Sequence, residues 1–132
     1  LNVQTELVNQ EWKVFIRTRQ EKKETQLFRE GWTGDYNDPS TFLDMFASDN
    51  PQNHISFNNK QYDSLIKQAA LEIDPAKRAD ILLNAEKILL DEAGVIPLYT
   101  LVTRHLVKPR VGGFEPNVLD RTYDRYIYIK ET

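Results

Sequence analysis

The chain has 132 residues, of which 40% are hydrophobic and 28% charged, with a formal net charge of −3. That length suits one domain with a real core, and the slight acidic excess argues against a nucleic-acid binder, which carries a basic excess. There is no cysteine, which excludes disulfides and thiolate metal sites, and no apolar run approaches the roughly 20 residues needed to span a bilayer.

In chain order, residues 1–7 alternate apolar Leu1, Val3 and Leu7 with polar Asn2, Gln4 and Glu6. Period two predicts a strand with one buried face. Residues 11–20 predict a helix, with Trp12, Phe15, Ile16 and Arg19 on one face and Asn9 as its cap. Periodicity alone makes Trp12 a core residue. Residues 19–24 read as a solvated helix end and loop. A second short strand over 27–29 would complete a βαβ-like unit with parallel strands. Loops at the carboxyl ends of such strands are where open α/β sheets bind ligands.

Residues 27–39, LFREGWTGDYNDP, leave from that end. Gly31, Trp32, Thr33, Gly34, Asp35, Tyr36 and Asn37 show little regular apolar spacing. Asp38-Pro39 then signals a helix start: the carboxylate caps orphan N–H groups and proline fits the first turn. Glycines let a ligand approach the backbone, aromatics supply flat apolar contact, and a carboxylate can receive an amine. The same residues also read as a structural turn with Trp32 as a core anchor.

A short helix over 39–48 follows, with Phe42, Leu43, Met45 and Phe46 on its apolar side, then a polar loop over 49–57. Asn58 or Asn59 caps a helix bearing Tyr62, Leu65, Ile66, Ala69 and Ile73. Asp74-Pro75 ends that helix and starts another, carrying Ile81, Leu82, Ala85, Ile88 and Leu89 to about residue 93. Gly94 is the expected stop. This helical pair is expected to pack over the sheet. Residues 95–102 are β-rich but interrupted by Pro97, which confines that run to an edge or a strand start. Residues 104–108 continue as strand, Pro109 and Gly112-Gly113 break the chain, and residues 123–130 form a last strand buried on both faces.

Catalytic and metal constellations are weak. Reading Asp35, Asn37 and Asp38 as a calcium loop puts Ser40 and Phe46 where glycine and glutamate are needed. His54 and His105 lie far apart and read as surface or hydrogen-bonding residues. No serine sits in a G-x-S-x-G elbow, and Gly112-Gly113 lacks the lysine of a phosphate loop. An enzyme would have to use Asp35 and Asp38 as a carboxylate pair.

Four ordered motifs carry a family resemblance. Gly31 to Pro39 resembles the G-W-x-x-D-Y-N-[ED]-P signature of periplasmic oligopeptide-binding proteins. These are the family 5 extracellular solute-binding proteins of ABC importers. Asn9-Gln10-Glu11-Trp12-Lys13, Tyr62-Asp63-Ser64-Leu65-Ile66, and Leu106-Val107-Lys108-Pro109 with Val111-Gly112-Gly113 resemble three further segments of that family. Residues 126–130 resemble its closing strand. The resemblance implies an α/β fold, one lobe of the two-lobed type II periplasmic-binding-protein fold, with a mixed sheet flanked by helices. Residues 1–132 would be a single domain matching the carboxy-terminal, peptide-binding lobe of a longer chain, with the signal peptide upstream.

The function so implied is capture of short peptides in the periplasm, without bond chemistry or cofactor. The implied partners are the missing amino-terminal lobe and an ABC permease, with no nucleic acid and a monomeric state. Trp12 and Trp32 match cleft-lining tryptophans, and Asp35 matches the aspartate that pairs with the peptide's amino terminus. Residues 31–33, Gly31, Trp32 and Thr33, match the backbone segment that pairs with an extended peptide like an added strand. Arg29 matches an arginine that meets a peptide carboxylate, and Arg19 one near a side-chain pocket. Thr33 replaces a cysteine of some members, and one extra residue lies between Trp12 and Trp32, placed in residues 21–24. A relative that binds nickel, haem or a sugar would share the fold and differ in the lining of the cleft.

Overall fold

The computed structural model describes residues 2–23 and 25–131. Leu1 of the first expected strand and Glu24 of the solvated run lie outside them. Four helices come first: α1 (Trp12–Glu21), α2 (Ser40–Leu43), α3 (Lys60–Leu71) and α4 (Pro75–Asp91). A two-stranded antiparallel ladder follows, β1 (Val111–Gly112) with β2 (Tyr128–Ile129). In its register Val111 faces Ile129 and Gly112 faces Tyr128.

The α3–α4 hairpin is the centre of the molecule. Asn59 caps α3 by accepting from the amides of Gln61 and Tyr62, and Asp74 caps α4 by accepting from Ala76 and Lys77, with Pro75 at the first helical position. Each cap satisfies two donors that the helix leaves orphaned. Tyr62 and Ala69 of α3 meet Leu82, Ala85 and Leu89 of α4 in one buried cluster. The two alanines let the helices approach closely, while Tyr62 and Leu89 fill the space at the far end. Leu43 and Phe57 close this cluster from the segment before α3. Asn53 pins that segment: its side-chain amide donates to the carbonyls of Phe57 (2.8 Å) and Ala47 (3.1 Å), and its oxygen accepts from the Phe57 amide.

The helical pair therefore packs on residues 41–57 and not on a sheet. Several expectations are corrected with it. Residues 2–7 and 27–29 are not strands, and no βαβ unit forms among the described residues. Residues 95–102 and 104–108 form no ladder, and their apolar side chains are exposed. A strand exists only against a neighbour about 4.8 Å away, and the described residues offer these runs none. The last strand is confined to β2, is exposed on both of its residues, and follows a 3-10 turn at Asp124–Tyr126.

Smaller differences are local. Glu11, not Asn9, caps α1 by accepting from Lys13 and Val14. The expected helix over 39–48 is a single turn, α2, continued as 3-10 over Asp44–Phe46. Ile73 lies beyond the end of α3 and is 94% exposed. The left-handed residue after α4 is Ala93 (φ 52°), while the Gly94 amide bonds back to the Leu89 carbonyl at 3.0 Å. Gly94 is small for another reason: a Cβ there would stand 2.8 Å from Leu89 Cδ1.

Candidate functional site

Helix α1 presents one aromatic and cationic face. Trp12 stacks on Phe15 with centroids 5.7 Å apart, and Phe15 meets Phe28 edge-on at 6.0 Å. The Arg19 guanidinium lies 5.8 Å from the Phe15 ring centre and pairs with Glu30. Its Nε is buried without a hydrogen-bond partner among the described residues, and desolvation lowers the arginine's pKa from the usual value. Trp12 itself is 64% exposed, so its place is the surface and not the core that periodicity assigned it. A helix face records which side chains lie together; it does not say whether anything covers them.

The next segment is extended and uncovered. Arg29 donates to the Tyr99 hydroxyl at 2.5 Å. Beyond it, Gly31 has nothing within 4 Å of the place a Cβ would occupy. Trp32 is 40% exposed and Thr33 is exposed. Among the described residues, the backbone groups of residues 31–33 make no hydrogen bond. The chain is fixed again at Gly34, which faces Thr41 Cγ2 and the Phe42 ring at 3.2 and 3.3 Å from a built Cβ. The Asp35 amide then donates to Thr41 Oγ1 at 3.0 Å. The Asp35 carboxylate is exposed and has no ion pair among the described residues.

Asp38 has a different role. Its Oδ1 accepts from the Ser40 amide at 2.9 Å, which is the capping contact expected of Asp38-Pro39. The same carboxylate takes a two-pronged ion pair from Arg78 of α4, Nη1 to Oδ2 at 2.6 Å and Nη2 to Oδ1 at 2.9 Å. The Arg78 fork holds the Asp38 carboxyl well below the usual carboxylate range. A carboxylate so held is an acceptor only and has no proton to give. Asp38 is therefore not the proton donor of a carboxylate pair with Asp35, and both of its oxygens are held by Arg78.

The two histidines are apart. His54 is half-buried, and desolvation, with Arg19 and Lys22 nearby, lowers its pKa. His105 Nε2 lies 2.5 Å from Asp120 Oδ1, with its ring tilted on Phe114.

The structure thus gathers the singled-out residues into two groups. Trp12 and Arg19 stand with Phe15, Phe28 and Glu30. Gly34 and Asp35 stand on Thr41, backed by Asp38 and Arg78. No hydrogen bond, ion pair or ring contact among the described residues joins Trp32 or Asp35 to Trp12 or Arg19. Sequence reasoning did not single out Glu30, Thr41, Arg78 or Tyr99. Arg78 lies 40 residues from Asp38, and Tyr99 lies 70 from Arg29. No local spacing rule reaches that far.

No family model matches the chain. Among curated proteins, the periplasmic oligopeptide-binding protein OppA of Escherichia coli is 36% identical over 130 residues, which are 98% of this chain and 24% of OppA. The periplasmic murein peptide-binding protein MppA of the same organism is 38% identical over the same shares. The solved structure of the E. coli murein tripeptide binding protein MppA superposes with a TM-score of 0.86, covering 100% of this chain and 26% of MppA. Haemophilus influenzae OppA in complex with RPPGFSPFR superposes with a TM-score of 0.81 at 34% identity, over 96% of this chain and 25% of that one. The chain thus spans about a quarter of the length of the relatives it matches. Those relatives have the two-lobed type II fold, of which this helix-rich α/β piece with its small sheet is a part. By sequence along nearly its whole length and by the path of its backbone, the chain belongs to the family 5 solute-binding proteins that include OppA and MppA.

Proposed function

We propose that this chain is the carboxy-terminal, ligand-facing part of a periplasmic protein that captures short peptides and delivers them to an ABC permease. The observation that carries the reading is the bare backbone of residues 31–33, bearing half-exposed Trp32 and followed by the exposed carboxylate of Asp35. An extended peptide adds to such a segment as a strand does, through main-chain hydrogen bonds that leave its side chains unread. The Asp35 carboxylate receives the peptide's ammonium group, and Trp12 and Trp32 supply apolar walls. Arg29 and Arg19 offer positive charge to a carboxylate, each already engaged, with Tyr99 and with Glu30.

A second lobe completes the cleft by closing over the peptide, and the binding protein performs no bond chemistry. The exposed apolar runs of residues 2–8 and 96–107 are covered by the remainder of the protein, which supplies their strand partners. The whole protein acts as a monomer.

Mass spectrometry of the intact protein, purified without denaturation, tests the reading. Co-purifying short peptides are the expected result. A different bound solute, or high-affinity peptide binding by residues 1–132 alone, overturns peptide capture between two lobes. Half a cleft leaves the peptide in water and loses the gain from enclosure.

A further inference from the structure

Arg78 is not one of the proposed ligand contacts, yet it joins three separate parts of the fold. Its Nε donates to the Ala69 carbonyl at 3.1 Å, in the last turn of α3, where carbonyls lack helical partners. Its backbone lies in the first turn of α4, donating to the Asp74 carbonyl at 2.9 Å. Its two terminal nitrogens grip Asp38. From Asp38 the connection runs on without a gap. The Asp38 carboxylate holds the Ser40 amide, and its carbonyl accepts from the Thr41 amide at 3.2 Å. Thr41 is buried, and its hydroxyl accepts from the Asp35 amide. Gly34 rests on the Thr41 methyl. The exposed Asp35 carboxylate is thus fixed from beneath, through its own backbone, to the rigid helical pair.

We infer that the Arg78–Asp38 fork, acting through Thr41, is the positioning device that presets the backbone of Gly34 and Asp35 for a ligand's ammonium group. The inference rests on the peptide-capture reading for the identity of that ligand, but not for the geometry. Arginine suits the place because a planar fork fixes orientation as well as charge, which a lysine ammonium does not. A carboxylate held in place before the ligand arrives costs less to order on binding. Without the fork, Asp38 keeps its bond to the Ser40 amide but loses its tie to α3 and α4.

The test uses the intact protein with trialanine and N-acetyl-trialanine as probes, together with hydrogen exchange of the ligand-free protein. Arg78→Met is expected to speed exchange at the Asp35 amide while the amides within α3 and α4 stay protected. It is expected to weaken trialanine by about tenfold and N-acetyl-trialanine hardly at all. Asp38→Asn should do the same, and the double variant should lose little more than either single one. Thr41→Val keeps the shape and removes the acceptor, so it should reproduce the loss even if Arg78→Met fails to fold. Arg78→Lys should fall between wild type and Arg78→Met.

Unchanged exchange at Asp35 in these variants overturns the inference. So does equal weakening of both peptides, which marks a general structural role. If wild type binds neither peptide, the peptide-capture reading fails instead, and exchange at Asp35 still decides whether the fork holds the loop.

Discussion

The hydroxyl of Tyr62 donates to the carbonyl of Leu43 at 2.6 Å across the buried centre of the molecule. Tyr62 is wholly buried, and its ring meets Phe57 edge-on at 5.2 Å. Burial pushes its phenol pKa above the ordinary value, so it remains a donor at every physiological pH. This bond ties α3 to the turn that follows residues 31–38. Tyr62→Phe keeps the ring and takes this donor away from the Leu43 carbonyl, at a cost of about 1–3 kcal/mol. Tyr62→Ala removes the ring as well and should cost about 3–5 kcal/mol. Urea unfolding of the two variants measures both, and a Tyr62→Phe variant as stable as wild type would show that the hydroxyl contributes nothing.

Asp38 gives the protein a dependence on acid. Its folded pKa is depressed, with the Arg78 hydrogen bonds as the largest cause. A depressed folded pKa adds stability above the unfolded value, and that stability is lost as pH falls toward the folded value. The gap in stability between wild type and Asp38→Asn should therefore be full near neutrality and shrink below about pH 4. Asp44 works in the opposite sense, because burial raises its pKa. Comparing the two proteins at each pH cancels the part owed to burial, while the smaller part owed to the Asp38 charge disappears in Asp38→Asn. A gap that does not change from pH 7 to pH 3 would mean that the charge on Asp38 adds nothing to folding.

Two glycines should respond differently to the same methyl group. At Gly94 an added Cβ meets Leu89 Cδ1 at 2.8 Å and Phe57 Cδ2 at 3.2 Å, both in the buried cluster. Gly94→Ala should destabilise by about 1–3 kcal/mol, the usual cost of forcing a packed core apart. At Gly31 an added Cβ meets nothing within 4 Å. Gly31→Ala should leave thermal stability near wild type and show itself, if at all, in ligand affinity. Matching melting temperatures for the two variants would contradict this contrast.

Trp32 and Leu89 set a further contrast. Leu89 is buried against α3, whereas Trp32 is 40% exposed at the edge of the bare loop. Leu89→Ala should cost about 2–5 kcal/mol. Trp32→Ala should cost clearly less than the roughly 3–5 kcal/mol of a core tryptophan, because much of the ring already meets water. A core-sized loss at Trp32 by chemical denaturation would return it to the role of a structural anchor.

The helical pair was legible in the sequence because helices are local. Asn59, Asp74 and Pro75 act within four residues of themselves, and the apolar spacing of Tyr62, Ala69, Leu82, Ala85 and Leu89 marks the faces that meet. The same local logic named the loop of residues 31–38 and its cap at Asp38. Family membership was legible too, since it rests on ordered motifs rather than on contacts. Strands were not, because the alternation of residues 2–7 and the β-rich run after Val95 state a preference that only a neighbouring chain segment can satisfy. Nor could any spacing rule show that Arg78 grips Asp38, that Arg29 meets Tyr99, or that Trp12 faces outward. Those relations join residues tens of positions apart, or depend on what covers a surface. The tertiary structure decided them by bringing the end of α3 and the start of α4 under the loop, so that the Asp35 carboxylate stands exposed while that of Asp38 is bound.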